Sequence, residues 1–285
     1  APACTLSGGW RMMNTRNMSE GTIALMKVAV LQTDVIIGEP ERNRERMLRK
    51  MEEAVSAAAG PDVLLLPEMW NTGYSLENVT EIADDAGEPT RGLMSAFARE
   101  HGVNVIAGSI ANKTEEGVRN TIMVFDRSGA LAAEYSKLHL FRLMDEHKYL
   151  SAGNSRGLFA ADGVPAGMMV CYDIRFPELA RRLALDGAKV LFVPAQWPKP
   201  RLHHWRTLLQ ARAIENQMFV VACNRVGTSR ESEFFGHSMI IGPWGDVLAE
   251  GGEDEAVLTA DLDLSEVDRV REAIPVFRDR RPELY

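Results

Sequence analysis

Apolar residues along the chain alternate between short continuous runs and longer stretches with helical spacing. The run KVAVLQ at 27–32 is apolar and β-branched, which is typical of a buried strand. After Pro40, apolar residues recur at helical spacing with charges on the opposite face, and we expect Gly60 to end this helix. The run VLLLPE then predicts a second buried strand, which ends at Glu68.

The next segments continue this alternation. Thr90 is a candidate N-cap for a helix that Gly102 ends, and VNVIAGS predicts the following strand. Between about 118 and 136, the runs TIMVFD and ALAAEYS are separated by RSG, which is typical of a hairpin. This part of the chain should therefore be antiparallel.

The second half repeats the order strand, helix, strand, helix, strand. The strands are GMMVC, KVLFVPA and MFVVACN, and the helices are PELARRLALDG, which starts at Pro177, and RLHHWRTLLQARAIENQ. This order indicates parallel pairing through right-handed crossovers. A last antiparallel section has HSMIIG and DVLAE around PWG, followed by AVLTADL and a short helix at SEVDRVREAI. The fold class is α/β, with helices packed outside sheet material.

The strand pattern begins at Met26, and no linker or low-complexity segment interrupts it afterwards. We therefore expect residues 26–285 to form a single domain, which suits a 285-residue chain with 46% hydrophobic composition. Residues 1–25 have no clear period and lack the apolar region of a signal peptide, so we expect a poorly ordered leader or extension.

Charge and cysteine content narrow the partners. The formal net charge is −8, with Lys and Arg spread along the chain, so we expect neither nucleic acid nor a membrane surface as a partner. No apolar stretch approaches the roughly 18 residues that a membrane span needs. Three cysteines are too few for a disulfide framework, and no CxxC or HExxH spacing is present. We expect a cytoplasmic protein that acts on a small molecule and uses no metal and no cofactor.

Cys171 stands where an apolar run turns toward a helix, in GMMVCYDIRFPELA. Ligands of open α/β sheets usually bind at the carboxyl ends of strands, although cysteine is also among the residues most often buried as packing. A free thiol has a pKa of roughly 8.5 and needs a base or a positive neighbour for activation. Candidate partners are Glu68, which follows LLLP, and Lys137, at the end of the second hairpin strand. His139 is a rival, because Cys with His is the commoner nucleophilic pair.

Three motifs, taken in their order along the chain, resemble those of a known enzyme family. Glu68 in LLLPE, Lys137 in YSKLHLF and Cys171 in VCYDIRFPEL resemble the Glu-Lys-Cys triad of the nitrilase superfamily of carbon-nitrogen hydrolases. The resemblance runs from Lys27 to the C-terminus and implies a four-layer αββα sandwich. It also implies that Glu68 is a general base, that Cys171 forms a thioester, and that Lys137 stabilises the oxyanion together with the backbone N–H of Tyr172.

Further residues of the site follow from the same resemblance. Glu146 in MDEHKYL matches an additional glutamate that positions substrate and lysine, and otherwise it is a surface charge in a polar loop. Trp197 could form a wall of the substrate pocket near Tyr172. Arg175 lies near the expected site, but we expect it to pair with Asp173 or Glu178 and hold the turn after the cysteine.

The segments KLHLFRLMDEH, AQWPKPRLHHWRTLLQARAIENQ and VVACNRVG resemble the ω-amidase branch, which hydrolyses the terminal amides of 2-oxoglutaramate and 2-oxosuccinamate. The alternatives with the same triad are a nitrilase, an aliphatic amidase or an N-carbamoyl amino-acid hydrolase. A different class of function is a binding or regulatory protein on an inactive hydrolase scaffold. The resemblance also implies a homodimer or higher homo-oligomer. The C-terminal segment PVFRDRRPELY mixes apolar and cationic residues without a helical period, so we expect it to lie across a neighbour.

Overall fold

The computed structural model describes residues 25–57, 60–229 and 232–285. Positions 1–24 of the expected leader lie outside these ranges. Within these ranges the strands are β1 (Leu25–Gln32), β2 (Val63–Leu65), β3 (Asp84–Asp85), β4 (Asn104–Ile106), β5 (Ile110–Thr114), β6 (Gly117–Phe125), β7 (Leu131–Ser136), β8 (Gly157–Ala161), β9 (Val164–Met168), β10 (Val190–Ala195), β11 (Phe219–Asn224), β12 (Val226–Ser229), β13 (Ser232–Phe235), β14 (Met239–Ile241), β15 (Val247–Glu250) and β16 (Ala256–Asp263). The helices are α1 (Pro40–Val55), α2 (Val79–Ile82), α3 (Thr90–His101), α4 (Glu146–Tyr149), α5 (Pro177–Leu185), α6 (Leu202–Asn216), α7 (Ser265–Ala273) and α8 (Val276–Asp279). None of the helices in these ranges is both long and apolar enough to cross a membrane.

The strands form two mixed sheets and a small ribbon. The first sheet has the order β16-β1-β2-β4-β6-β5-β3, with β7 also paired to β6, and the second has the order β15-β14-β11-β10-β9-β8. In the second sheet β9, β10 and β11 are parallel, as the order of the second half of the chain predicts. The predicted hairpin of β6 and β7 is antiparallel, and so is the predicted pair β14 and β15. Strands β12 and β13 form the ribbon.

The two faces of β1 show how the layers are stacked. Val28 and Val30 belong to the core that joins the two sheets, whereas Ala29 and Leu31 belong to a separate core with Met residues of α1 and α3. This alternation is the period of two that a strand buried on both faces requires. On the far side of the second sheet, buried residues of α5 and α6 complete the core. The result is the four-layer αββα sandwich that the family resemblance implies.

Several local predictions are wrong. Strand β2 ends at Leu65, three residues before the predicted end at Glu68. Helix α1 ends at Val55 and not at Gly60, because its buried face ends at Ala54. Thr90 is the first residue of α3 and not its cap, and its backbone N–H donates instead to Asp84 Oδ2 at 3.2 Å.

The predicted strand GMMVC is displaced toward the N-terminus. Its actual range is β9, Val164–Met168, which forms an antiparallel hairpin with β8. The turn between them has positive φ at Asp162 (49°) and Gly163 (79°), a conformation that an Asp-Gly pair adopts readily. Cys171 therefore lies three residues beyond the end of the strand and not on it.

Candidate active site

Glu68 is held in place by a close crossing of two backbone segments. Strand β2 ends at Leu65, and the chain then passes over Gly108, which has a φ of +56°. A Cβ atom at position 108 would lie 2.0 Å from the carbonyl oxygen of Pro67, so the crossing requires glycine. Glu68 is fully buried, and its Oε2 accepts the backbone N–H of Gln196 at 2.7 Å.

Lys137 and Glu146 meet Glu68 in the interior. Lys137 follows β7 directly, and its Nζ lies 2.9 Å from Glu68 Oε1 and 2.6 Å from Glu146 Oε1. All three side chains are 0% exposed. The other oxygen of Glu146, Oε2, accepts the backbone N–H of Phe141 at 2.8 Å. Glu146 is therefore part of a buried charged cluster and not a surface charge.

Both burial and the neighbouring charges shift the pKa values of the groups in this cluster. Burial by itself lowers the pKa of Lys137, but the neighbouring Glu146 and Glu68 outweigh it and raise that pKa well above its ordinary value. Burial raises the pKa of Glu146; Lys137 counteracts this shift, and Glu68 adds to it. Lys137 is thus held as a cation, while Glu146 is a weaker acid than an exposed glutamate.

Cys171 begins a 3₁₀ turn, Cys171–Arg175, with its backbone in the left-handed region at φ +46°. Residues other than glycine adopt this conformation rarely, and when they do they are often found at active sites. Asp173 fixes the turn, because its Oδ2 accepts the backbone N–H of Val170 at 3.0 Å and the hydroxyl of Tyr135 at 2.7 Å.

The thiol of Cys171 is almost fully buried, with 5% of the residue exposed. Burial raises the pKa of this thiol well above its ordinary value, and the charge of Glu68 and a hydrogen bond to Glu68 raise it further. Lys137 acts in the opposite direction. The thiol of Cys171 is therefore neutral at rest and lies beside a carboxylate that can take its proton.

His139, the rival partner of the cysteine, is engaged elsewhere. Its Nδ1 lies 2.7 Å from Asp173 Oδ1, and its ring stacks on Phe176 with 3.5 Å between centroids. Its backbone N–H also donates to Asp173 Oδ1, at 3.0 Å. His139 therefore supports the turn that carries the cysteine, and it does not form a Cys-His pair.

A pocket opens beside the thiol. It is lined by Phe141, Cys171, Tyr172, Arg175, Gln196, Trp197, Pro198 and Arg201. Trp197 is 3% exposed, and its indole N–H has no hydrogen-bond partner among the described residues. The predicted substrate-contacting residues Tyr172, Trp197 and Arg175 thus share this pocket with the cysteine.

The expected pairing of Arg175 with Asp173 or Glu178 is wrong. The oxygens of Asp173 are taken by other donors, and the guanidinium of Arg175 lies over the ring of Trp197, 4.8 Å from its centroid. One of its nitrogens also lies 3.2 Å from His204 Nδ1. The guanidinium therefore belongs to the pocket wall.

Some residues of the site were not predicted from the sequence. Tyr74 and Asn120 contact Glu68 Oε1, Gln196 contacts Glu68 Oε2, and Arg201 lines the pocket. The signal for Arg201 was present, because it follows the pocket residue Trp197 by four positions in WPKPR. Within the described ranges, the structure contains no cluster of three or more His, Cys, Asp and Glu side chains that could hold a metal ion.

Comparison with protein families and known proteins gives one consistent result. The family model described as carbon-nitrogen hydrolase matches residues 27–272. The 2-oxoglutaramate amidase of Bacillus subtilis is 49% identical over 258 residues, which cover 90% of this chain and 98% of that protein. The omega-amidase NIT2 of Homo sapiens is 35% identical over 240 residues, which cover 81% of this chain and 87% of that protein.

The fold has a similar counterpart among solved structures. A CN-hydrolase superfamily protein from Xanthomonas campestris, crystallised with an arsenic adduct in its active site, superposes with a TM-score of 0.84. The two sequences are 31% identical, and the match covers 90% of this chain and 97% of that chain.

Proposed function

Because the chain belongs to the carbon-nitrogen hydrolase family, we propose that it hydrolyses the terminal amide of small 2-oxo-acid amides through a thioester on Cys171. The proposed substrates are 2-oxoglutaramate and 2-oxosuccinamate, and the products are the corresponding dicarboxylic 2-oxo acid and ammonia. The similarity to the Bacillus subtilis 2-oxoglutaramate amidase supports this choice.

The proposed acylation step uses the buried cluster. Glu68 takes the thiol proton while the sulfur of Cys171 attacks the amide carbon. The carbonyl oxygen becomes an oxyanion, which Lys137 and the backbone N–H of Tyr172 stabilise. Glu68 returns its proton to the departing nitrogen, the C–N bond breaks, and ammonia leaves.

We propose that Glu68 is also the base that activates water for deacylation. Glu68 takes a proton from a water molecule, and the resulting hydroxide attacks the thioester carbon. The second oxyanion collapses, the C–S bond breaks, and the proton on Glu68 restores the thiol of Cys171. Lys137 carries a charge throughout, so it favours both tetrahedral intermediates.

The observation that carries the substrate proposal is a pair of guanidinium groups without carboxylate partners. Arg175 and Arg201 both line the pocket that contains the nucleophile, and neither forms a salt bridge within the part of the chain that the structure describes. A carboxylate bound there would lose much of its hydration, which is costly unless charged donors replace the water. Arg175 and Arg201 are such donors, and Lys137 remains free for the oxyanion.

Arg201→Met tests this reading of the pocket. We expect kcat/KM for 2-oxoglutaramate to fall by about 10- to 100-fold, the scale of losing one charged hydrogen bond. For butyramide, a neutral amide without the carboxylate, we expect a change of less than about threefold. Equal losses on both amides would contradict the assignment of Arg201 to the substrate carboxylate.

Arg206→Met is the matched control. Arg206 lies on α6, and its Nε already donates to Glu250 Oε1 at 2.6 Å. Its removal deletes one nearby positive charge without changing the lining of the pocket. We expect kcat/KM for 2-oxoglutaramate to stay within about threefold of the wild-type value, since a surface ion pair contributes little.

We also propose that the chain forms a homodimer or higher homo-oligomer. The C-terminal segment starts packed, with the ring of Phe277 between Arg181 and Arg271, and ends with Leu284 and Tyr285 at 64% and 77% exposed. Part of this segment is nevertheless helical, because α8 lies within it. Light scattering that detects only monomer at micromolar concentration would contradict association.

A further inference from the structure

Tyr74 lies between the two carboxylates of the buried cluster. Its phenol oxygen is 2.8 Å from Glu68 Oε1 and 2.6 Å from Glu146 Oε1. Both distances are those of O–H···O hydrogen bonds, and each such bond needs a hydrogen between its two oxygens. A phenol carries only one hydrogen. If both carboxylates were ionised, one of the two contacts would therefore bring together two oxygens without a proton between them.

The hydrogens of Lys137 do not remove this deficit. Its Nζ donates to Glu68 Oε1 and Glu146 Oε1, and its distance to the Tyr74 oxygen is 3.5 Å, too long for a good hydrogen bond. Neither of its short contacts places a hydrogen between the phenol and a carboxylate. Two carboxylates, a lysinium and a phenol together have one proton too few for both contacts of Tyr74. The cluster therefore needs one more proton.

The surroundings of the two acids show where that proton belongs. Glu68 accepts three donors besides Tyr74, namely Asn120 Nδ2 at 2.8 Å, Lys137, and the backbone N–H of Gln196. Glu146 accepts only two besides Tyr74, from Lys137 and from the backbone N–H of Phe141. Hydrogen bonds to an ionised carboxylate stabilise that form. Glu68 is therefore the better supported anion, and Glu146 is the better site for the proton.

The charge balance leads to the same result. The groups that act on Glu146 are Lys137, Glu68, Tyr74 and Cys171, and among them only Lys137 is a cation. With both carboxylates ionised, the buried cluster would have a net negative charge, which is costly in an interior of low polarity. One added proton makes it neutral. Burial raises the pKa of Glu146 and Glu68 raises it further, against the effect of Lys137.

We propose that Glu146 is held as a neutral carboxylic acid, whose Oε1–H donates to the Tyr74 oxygen while the Tyr74 hydroxyl donates to Glu68 Oε1. Tyr74 is then a positioning residue for the general base. With Asn120, Lys137 and Tyr74 all donating to Oε1, the oxygen of Glu68 that can take a proton is Oε2, which accepts the backbone N–H of Gln196. The position of the bridging hydrogens follows from the contacts alone, whereas the effect on the base rests on the proposed function.

An infrared difference spectrum between the wild type and Glu146→Gln tests the protonation state without any substrate. At neutral pH we expect the substitution to remove the carbonyl band of a carboxylic acid and to leave the carboxylate bands in place. The loss of carboxylate bands instead would overturn the proposal. Because this measurement needs no turnover, its outcome does not depend on the identity of the substrate.

The pH profile of kcat/KM for Tyr74→Phe tests the role in the reaction. This variant removes one donor from the Glu68 carboxylate, and hydrogen bonds to a carboxylate stabilise its ionised form, so we expect the acid limb of the profile to move to higher pH by roughly one pH unit. Tyr135→Phe is the matched control, because Tyr135 is another buried tyrosine whose hydroxyl donates to a carboxylate, Asp173, at 2.7 Å. We expect the control to keep the wild-type acid limb. An unmoved limb in Tyr74→Phe, or an equal movement in both variants, would overturn the positioning role.

Discussion

The ammonium group of Lys137 lies 2.9 Å from Oε1 of Glu68, although 69 positions separate the two residues in the chain. Both side chains are fully buried, so the contact joins β7 of one hairpin to the segment after β2 inside the protein. A buried ion pair is stable only when further hydrogen bonds satisfy its atoms, and Glu146 supplies one of them at 2.6 Å. The same cluster therefore bears on both stability and chemistry.

Removing Lys137 should lower the stability of the fold as well as the rate of the reaction. Lys137→Met leaves the buried carboxylate of Glu68 without its cation, and we expect the free energy of unfolding to fall by about 3–5 kcal/mol. Urea denaturation at neutral pH measures this change. Adding Glu68→Gln to Lys137→Met should restore part of the loss, because the unpaired carboxylate is then removed. If Lys137→Met does not lower the free energy of unfolding, Lys137 and Glu68 do not form an ion pair in solution.

Cys171→Ala should abolish ammonia release and keep the far-UV circular dichroism of the folded protein, because the lost sulfur contributes little packing. Cys223→Ala is the control, since Cys223 is a fully buried strand residue whose thiol lies 3.2 Å from the carbonyl oxygen of Leu31. We expect it to retain activity. Amidase activity in a pure Cys171→Ala preparation would disprove the nucleophile assignment.

Glu68→Gln keeps the shape of the base and removes its ability to take a proton. Loss of a positioned acid-base group typically slows a reaction by about 10²- to 10⁴-fold. Single-turnover kinetics should show that both acylation and deacylation slow, because one carboxylate serves both steps. If acylation keeps its wild-type rate and the thioester accumulates, Glu68 acts as the base in deacylation and not in acylation.

The raised pKa of the Cys171 thiol predicts no thiolate at neutral pH. The ultraviolet difference spectrum between wild type and Cys171→Ala should lack thiolate absorbance at pH 7 and gain it only in alkaline solution. Since the folded pKa lies above the unfolded value of about 8.5, the folded state binds more protons above that pH. The wild type should then lose stability relative to Cys171→Ala as the pH rises beyond about 8.5. Thiolate absorbance at pH 7 would contradict this account.

The elements that the sequence predicts well are those with strong local patterns. Strands β1, β10 and β11 are continuous apolar runs, and α5 has a clear start at Pro177 and helical spacing. The hairpin of β8 and β9 was missed although Asp162 and Gly163 provide a turn signal, because Pro165 within the second strand weakens the pattern. Helix ends such as Val55 depend on where packing stops, which no local pattern contains.

The site was predicted where motifs carry it and missed where only the fold brings residues together. Glu68, Lys137 and Cys171 stand in recognisable segments, so the family resemblance predicted them together, and the structure places them in one buried cluster. Tyr74 lies in a loop whose sequence gives no sign that it contacts two carboxylates. The partner of Arg175 was wrong because Asp173, its close neighbour in the chain, is turned inward to Tyr135 and His139.

The most direct test of the central claim compares kcat/KM for 2-oxoglutaramate and for glutamine, measured as ammonia release by the wild-type protein. Glutamine carries an ammonium where the oxo acid has a ketone, and a pocket with Arg175 and Arg201 should disfavour that added positive charge. We expect 2-oxoglutaramate to be preferred by at least about 10²-fold. Comparable values for the two compounds, or a preference for simple aliphatic amides or nitriles, would contradict the proposed substrate class.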